Sequence, residues 1–432
     1  MTRPQTITRN SIPREMTAFF SSGTAPSRFA QEAPVTGAHA RHAADSPFVA
    51  VAMQHKRRES RVVAGGRRHG ATAGGAGVLL WLLLFIFSCG LRAQTPGDVE
   101  ALRRQVTSQG DALDHRLDQL AKMVDDVLWQ QKLEGVALMD KLYIYGPPPA
   151  RVPQPDAMGA RNPVKFWTYA FFPANLDPAK KYPLLLLPHG GVHADFTTYY
   201  VHIVRELVAQ GYVVAAPEYR GSTGYGKAFY EKIDYGGLEN EDVFATRNYM
   251  LETYPFLDRD RVGILGWSHG GMITLMNLFE HPGSYQAAFA GVPVSDLIAR
   301  MGYYTQDYRN HFEAEYHIGQ SAYENVAEYR RRSPAWNTAK FNNTPLLIHT
   351  NTNDDDVNVL EVEHLIKSLK ADGKKFEYEI FNDVPGGHSF DRMDTREAKE
   401  IRVKIYRHLA PHLKPANPIR ELRDLQIAGY RF

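Results

Sequence analysis

The chain has 432 residues, 44% of them hydrophobic, enough for a sizeable core in one larger domain or two smaller ones. Its formal charge of +2 hides an asymmetry: residues 1–93 hold 12 Lys and Arg against 4 Asp and Glu, and the remainder 38 against 44. That acidic remainder excludes the basic surface nucleic-acid binding needs, so no such partner is expected; the single cysteine, Cys89, excludes a disulfide framework.

Residues 1–52 are rich in Ala, Ser, Pro and Arg without apolar periodicity, which predicts disorder. A basic block, "MQHKRRESRVVAGGRRHG", begins at Met53 and leads into the apolar run "VLLWLLLFIFSCG" (Val78–Gly90) and the small-residue exit "LRAQTP". Basic block, apolar run and small-residue exit make the layout of a secretory signal, for which Met53 is a natural start. Three readings of residues 1–93 stay open: cleavage after Ala93, a lipoprotein signal at Cys89, or an uncleaved transmembrane anchor, since no charge occurs from Gly70 to Leu91. In each the rest of the chain is exported, to the periplasm, the exterior or the outer face of a membrane.

Val99, Leu102, Val106, Leu113, Leu117, Leu120, Val124 and Val127 follow helical spacing, broken near Gln109-Gly110. Residues 96–142 therefore predict a helix, either a coiled coil that makes a homo-oligomer or an amphipathic helix folded onto the next domain. "YGPPPARVPQP" marks a linker over 143–159. From 160 to 415 apolar runs ("VKFWTYAFF", "YPLLLLPHG", "GYVVAAPEYRG", "RVGILGWS", "AAFAGVPVSD", "TPLLIHTN", "KFEYEIFND") alternate with amphipathic helical stretches. Such alternation predicts an α/β domain with a mostly parallel sheet covered on both faces, followed by a tail at 416–432. Polar punctuation falls at the strand ends, where the chemistry of such sheets gathers.

One of those ends is Gly266-Trp267-Ser268-His269-Gly270, between a predicted strand and a predicted helix. A G-x-S-x-G turn there exposes a strained serine, so Ser268 is the candidate nucleophile. A serine hydroxyl needs a base, and the base an orienting carboxylate, in the chain order Ser, acid, His for this architecture. His388, in the Gly-rich "VPGGHSFDR", is the candidate base, and the consecutive Asp354, Asp355 and Asp356 offer the acid. Oxyanion donors are expected from the backbone of His269 and of Gly191 in "PHGGVH". The aspartates lack the Gly and Glu of a calcium loop and the histidines form no H-E-x-x-H, so neither metal nor other cofactor is expected.

Taken together these segments resemble the prolyl oligopeptidase family of serine peptidases over roughly residues 160–415. "HGG" at 189–191, "EYRGSTGYGKAF", "LDRDRVGILGWSHGGMITL" and "RRSPAWNTAKFNNTPLLIH" carry the likeness in order. The resemblance implies an α/β-hydrolase fold, a peptide substrate, Ser268 as nucleophile and His388 as base. The family's acid stands three residues before a valine, and Val357 then points to Asp354. It also implies that Tyr304 and Tyr308 line the pocket for the residue before the scissile bond. The sequence departs from the family at His349-Thr350-Asn351, one residue longer before Asp354, and at His269, where an aromatic residue is usual. A β-propeller, common in the family as a size filter, does not fit between the apolar run and residue 160. The expected function is a serine peptidase; the alternatives are a carboxylesterase or deacylase with the same triad, or a non-catalytic envelope scaffold.

Overall fold

The computed structural model describes residues 96–152 and 154–429. The basic N-terminus and the apolar run at 78–90 lie outside these, so the readings of that segment rest on sequence alone. Among the described residues, no helix is long and apolar enough to cross a membrane.

Among the described residues eight strands form one sheet: β1 (Ala137–Tyr145), β2 (Lys165–Pro173), β3 (Tyr182–Leu186), β4 (Val213–Pro217), β5 (Leu257–Trp267), β6 (Ala287–Gly291), β7 (Leu346–Asn351) and β8 (Glu377–Phe381). Their order is β1-β2-β4-β3-β5-β6-β7-β8. β2 runs antiparallel to β1 and β4, while every pairing from β4 to β8 is parallel. The main helices are α1 (Pro96–Leu133), α2 (Val201–Ala209), α3 (Leu238–Thr253), α4 (His269–Glu280), α5 (Leu297–Tyr303), α6 (Gln306–Glu313), α7 (Val359–Ala371) and α8 (Arg396–Leu413).

The central strands are apolar throughout because both faces are covered. Leu184, Leu186, Val213 and Ile264 pack with α3, α4 and α7; their neighbours Leu185, Val214 and Leu265 pack on the other face with α2, α8 and Trp129 of α1. Alternate side chains thus enter two separate cores.

Two boundaries differ from the sequence reading. The helix expected over 96–142 ends at Leu133, and residues 137–145, split there between helix and linker, form β1. Gly135, at φ +76°, ends the helix, and β1 then pairs with β2 in unbroken register from Ala137↔Pro173 to Tyr145↔Lys165. The expected tail from 416 is also partly packed: Ile419, Leu425 and Ala428 are buried, the latter two in a short 3₁₀ helix.

α1 meets the domain with an unexpected face. Trp129 and Leu133 are buried, whereas Val99, Leu102, Val106, Leu113, Leu117, Leu120, Val124 and Val127 are all exposed. The helix folds onto the domain, as one of the alternatives had it, but leaves its apolar row facing outward.

Candidate active site

Ser268 links β5 to α4 with φ 59° and ψ −123°, a region a non-glycine residue occupies only under strain. The surroundings hold it there. A Cβ at Gly266 would lie 2.3 Å from the carbonyl oxygen of Gly270, and one at Gly270 the same 2.3 Å from that of Pro188. The Ser268 N–H donates to Gly291 O at 2.9 Å, and Trp267 Nε1 donates to the buried Asp391 at 2.7 Å. The loop after β3 passes over the serine so closely that a Cβ at Gly190 would be 3.2 Å from Ser268 Cβ.

His388 stands in the loop after β8, behind two positive-φ glycines, Gly386 and Gly387. Its Nδ1 lies 2.9 and 2.8 Å from the two carboxylate oxygens of Asp354, whose side chain is fully buried. Asp354 Oδ1 also accepts the N–H groups of Asp356 at 2.9 Å and Val357 at 2.8 Å. The three consecutive aspartates diverge. Asp355 Oδ1 accepts only weakly, at 3.4 Å, from the His388 N–H, while Asp356 turns toward Arg300 and Tyr304. Asp356 Oδ2 nevertheless comes within 3.9 Å of His388 Nε2. Within this lengthened segment Asn351 is a stitch: it donates to Val384 O at 2.8 Å and accepts from the Val384 N–H at 3.1 Å, tying the Asp354 loop to the His388 loop.

Gly191 has φ +91°, and its carbonyl lies 2.9 Å from Nδ1 of His269. The preceding carbonyl, of Gly190, lies 3.0 Å from Nδ1 of His189. In a trans peptide N–H and C=O point opposite ways, so fixing the Gly190 carbonyl also fixes the Gly191 N–H. The His269 ring is buried, stacked on Tyr235 at 4.0 Å with Nε2 3.1 Å from Glu239 Oε1. Its backbone N–H opens α4 and has no acceptor within the helix.

Tyr304 and Tyr308 stack at 3.8 Å beside Arg300. Tyr304 Oη donates to Asp356 Oδ1 at 2.6 Å, and Arg300 Nε donates to Tyr308 Oη at 2.7 Å. Arg300 Nη1 pairs with the fully buried Glu361 at 3.0 Å. Burial opposes the charge of Arg300, but Tyr308, Glu361 and Asp356 outweigh it and keep the guanidinium ionised. Asp356 is pushed up by burial and pulled further down by Arg300 and His388, so its carboxyl stays below the usual range. The tyrosine pair therefore supports this ionic cluster, whose Asp356 is the member that comes near His388. Sequence reading missed the parts played by Arg300, Glu361, His189 and Glu239: His189 opens the "HGG" segment, where only Gly191 was singled out, and for the others only the spacing of Arg300 one helical turn before Tyr304 could have drawn notice. Among the described residues no group of three or more His, Cys, Asp or Glu side chains is gathered as a metal site would need.

In comparison with known proteins, the chain is 30% identical over 302 residues to dipeptidyl peptidase 8 of Mus musculus, covering 67% of this chain and 32% of that protein. It is 31% identical over 134 residues to the acylamino-acid-releasing enzyme of Mus musculus, covering 30% of this chain and 18% of that protein. The chain thus spans about a third or less of the length of these relatives. Its fold is shared with the uncomplexed acylaminoacyl peptidase of Pyrococcus horikoshii (TM-score 0.54, 20% identity, 70% of this chain and 46% of that one). Porphyromonas gingivalis dipeptidyl peptidase 4 shares it too (TM-score 0.51, 21% identity, 66% of this chain and 37% of that one). The model of the prolyl oligopeptidase family matches residues 198–414, which take in the strained Ser268 turn, both loops that bring Asp354 to His388, and α8. The chain belongs to the prolyl oligopeptidase family of serine-type hydrolases.

Proposed function

We propose that this protein is a serine peptidase with an α/β-hydrolase fold, working through Ser268, His388 and Asp354. The observation that carries the reading is the hydrogen-bonded His388–Asp354 pair, held on loops at the same strand ends as the strained Ser268. With its Nδ1–H donated to Asp354, His388 keeps Nε2 as the basic nitrogen. Ser268 Oγ attacks the peptide carbonyl while Nε2 takes its proton, and Asp354 steadies the imidazolium that forms. The oxyanion receives the N–H groups of Gly191 and His269. Collapse breaks the C–N bond, and His388 returns the proton to the leaving amine. Water then repeats the sequence on the acyl-enzyme, releasing the acid and restoring Ser268. Tyr304 and Tyr308 border the pocket for the residue before the scissile bond.

Cleavage profiling of a mixed peptide library, with Ser268→Ala alongside, tests this. Cuts lost in the variant support the peptidase. An intact library with aryl esters still hydrolysed through Ser268 would make the protein an esterase, and no turnover of either would leave the scaffold.

The layout of residues 53–93 supports export of the catalytic part, by a cleaved signal or with a retained membrane anchor; sequencing the N-terminus of the mature protein tests that. The outward apolar row of α1 favours a second proposal, self-association through this helix. Its spacing is that of a helix–helix seam, and nothing else in the described residues covers it. Leu113→Glu with Leu120→Glu should turn a dimer into a monomer in sedimentation; an unchanged mass would refute the seam.

A further inference from the structure

α1 lies outside the stretch matched by the family model, yet its inner face grips the loop that carries Gly191. The Lys122 ammonium, 3.0 Å from Asp195 Oδ2, 2.5 Å from Glu218 Oε1 and 2.6 Å from the Phe196 carbonyl, is buried. Glu218 follows β4 directly, accepts the Phe196 N–H at 3.2 Å, and lies 3.4 Å from Nε2 of His189. The other nitrogen of that ring is the one 3.0 Å from the Gly190 carbonyl. Asp125 accepts the N–H of Thr198 at 3.1 Å and its hydroxyl at 2.6 Å. Trp129 stacks on Phe196 at 5.5 Å with an interplanar angle of 1°. Nearer the start of the helix, His115 meets Tyr230, whose ring stacks on His193 at 3.4 Å. Residues 193–198 are thus held from α1 at several successive points.

We infer that α1 is a working part of the oxyanion site, and that Lys122 is a positioning residue which sets the Gly190–Gly191 peptide through Glu218 and His189. The inference rests on the proposed reading of Gly191 as an oxyanion donor. Burial pushes the Glu218 carboxyl up, but Lys122 and His189 pull it down to about 2, so it is ionised at any ordinary pH. Without the ammonium, that fully buried carboxylate and Asp195 converge on one point with no cation between them. Such a cluster relaxes by moving the loop or by drawing in water, and either displaces the Gly190–Gly191 peptide. Misplacing a catalytic contact by about 1 Å can cost on the order of 100-fold in rate.

The experiment measures kcat and KM for an aryl ester per active site, with sites counted by fluorophosphonate titration of Ser268. Lys122→Met should lower per-site kcat about 10- to 100-fold and leave KM within about threefold, since the contact acts on the oxyanion rather than on substrate binding. Lys122→Arg should keep most of the rate, and Lys122→Met with Glu218→Gln should recover part of it by removing the uncompensated charge. Asp125→Ala loosens the same loop without stranding a buried cation's partners, so it preserves the comparison should Lys122→Met not fold; a per-site kcat loss of about threefold is expected. If these variants lower only the titratable fraction or the melting temperature, with per-site kcat equal to the parent, the inference is overturned and α1 is merely structural. Hydrolysis that survives Ser268→Ala would instead overturn the reading of the site on which the inference depends.

Discussion

Replacing Asp354 by Asn separates orientation of the histidine from every other property of the site. Asp354 Oδ1 accepts the N–H groups of Asp356 and Val357 at 2.9 and 2.8 Å, so an Asn at this position keeps its carbonyl oxygen there. Its NH₂ then falls where Oδ2 now stands, 2.8 Å from His388 Nδ1. An amide donor at that distance forces Nδ1 to accept, which puts the ring's proton on Nε2, where a base is needed. The change is isosteric and the buried backbone bonds survive, so stability should move little. In a Ser-His-Asp site the wrong tautomer costs about 10⁴ in kcat, or about 5.5 kcal/mol. Steady-state hydrolysis of an aryl ester, again per titrated Ser268, should show that loss with KM nearly unchanged. Asp355→Asn should stay within about threefold of the parent, because that side chain makes only a 3.4 Å contact with the His388 N–H. Asp354→Asn retaining a tenth of the parent's kcat, or losing no more than Asp355→Asn does, would refute the assignment of the acid.

Arg300→Met strands Glu361, which is fully buried, and should destabilise the fold by about 3–5 kcal/mol in urea denaturation, with Arg300→Met plus Glu361→Gln recovering part of it; a loss below about 1 kcal/mol would show the cluster to be dispensable. His349 is fully buried between Phe289 and Phe381 with no hydrogen-bond partner on either ring nitrogen, and burial lowers its pKa from 6.5 to about 3. The unfolded chain therefore takes up a proton that the folded chain refuses between those values, so this residue makes stability fall as pH drops from 6.5 toward 3. His349→Phe should flatten that part of the stability–pH curve, and an unchanged slope in denaturation series at several pH values would count against it. Gly266→Ala puts a Cβ 2.3 Å from a backbone oxygen and should abolish fluorophosphonate labelling of Ser268, whereas Gly302→Ala, with nothing within 4 Å, should label normally.

The sheet was legible because its strands are buried on both faces, which writes them as unbroken apolar runs such as Leu184–Leu187 and Val213–Ala216. β1 was not, because its half-polar "ALMDKLYIY" directly continues a helical pattern and takes its strand identity from pairing with β2. Ser268 and His388 stand in turns whose glycines announce them locally, and their chain order supplied the rest. The Arg300–Glu361 pair joins residues 61 positions apart across two helices, so no window of sequence displays it. α1 shows the same limit in another form. Its apolar row was evident, but the face that docks uses Lys122, Asp125 and Trp129, whose attraction depends on Glu218, Thr198 and Phe196 lying opposite.

The position of β8 at the end of the sheet bears on how the molecule avoids uncontrolled assembly. An edge strand offers unpaired backbone groups to any passing chain. β8 is only five residues long and carries Glu377 and Glu379, the latter paired with Lys404 at 2.6 Å and the former with His408 at 3.2 Å. A strand added alongside would have to crowd or desolvate those charges, so cross-molecular sheet extension and fibre growth are opposed at this rim. Backbone pairing between copies, which would not stop at two, is thereby disfavoured along this edge.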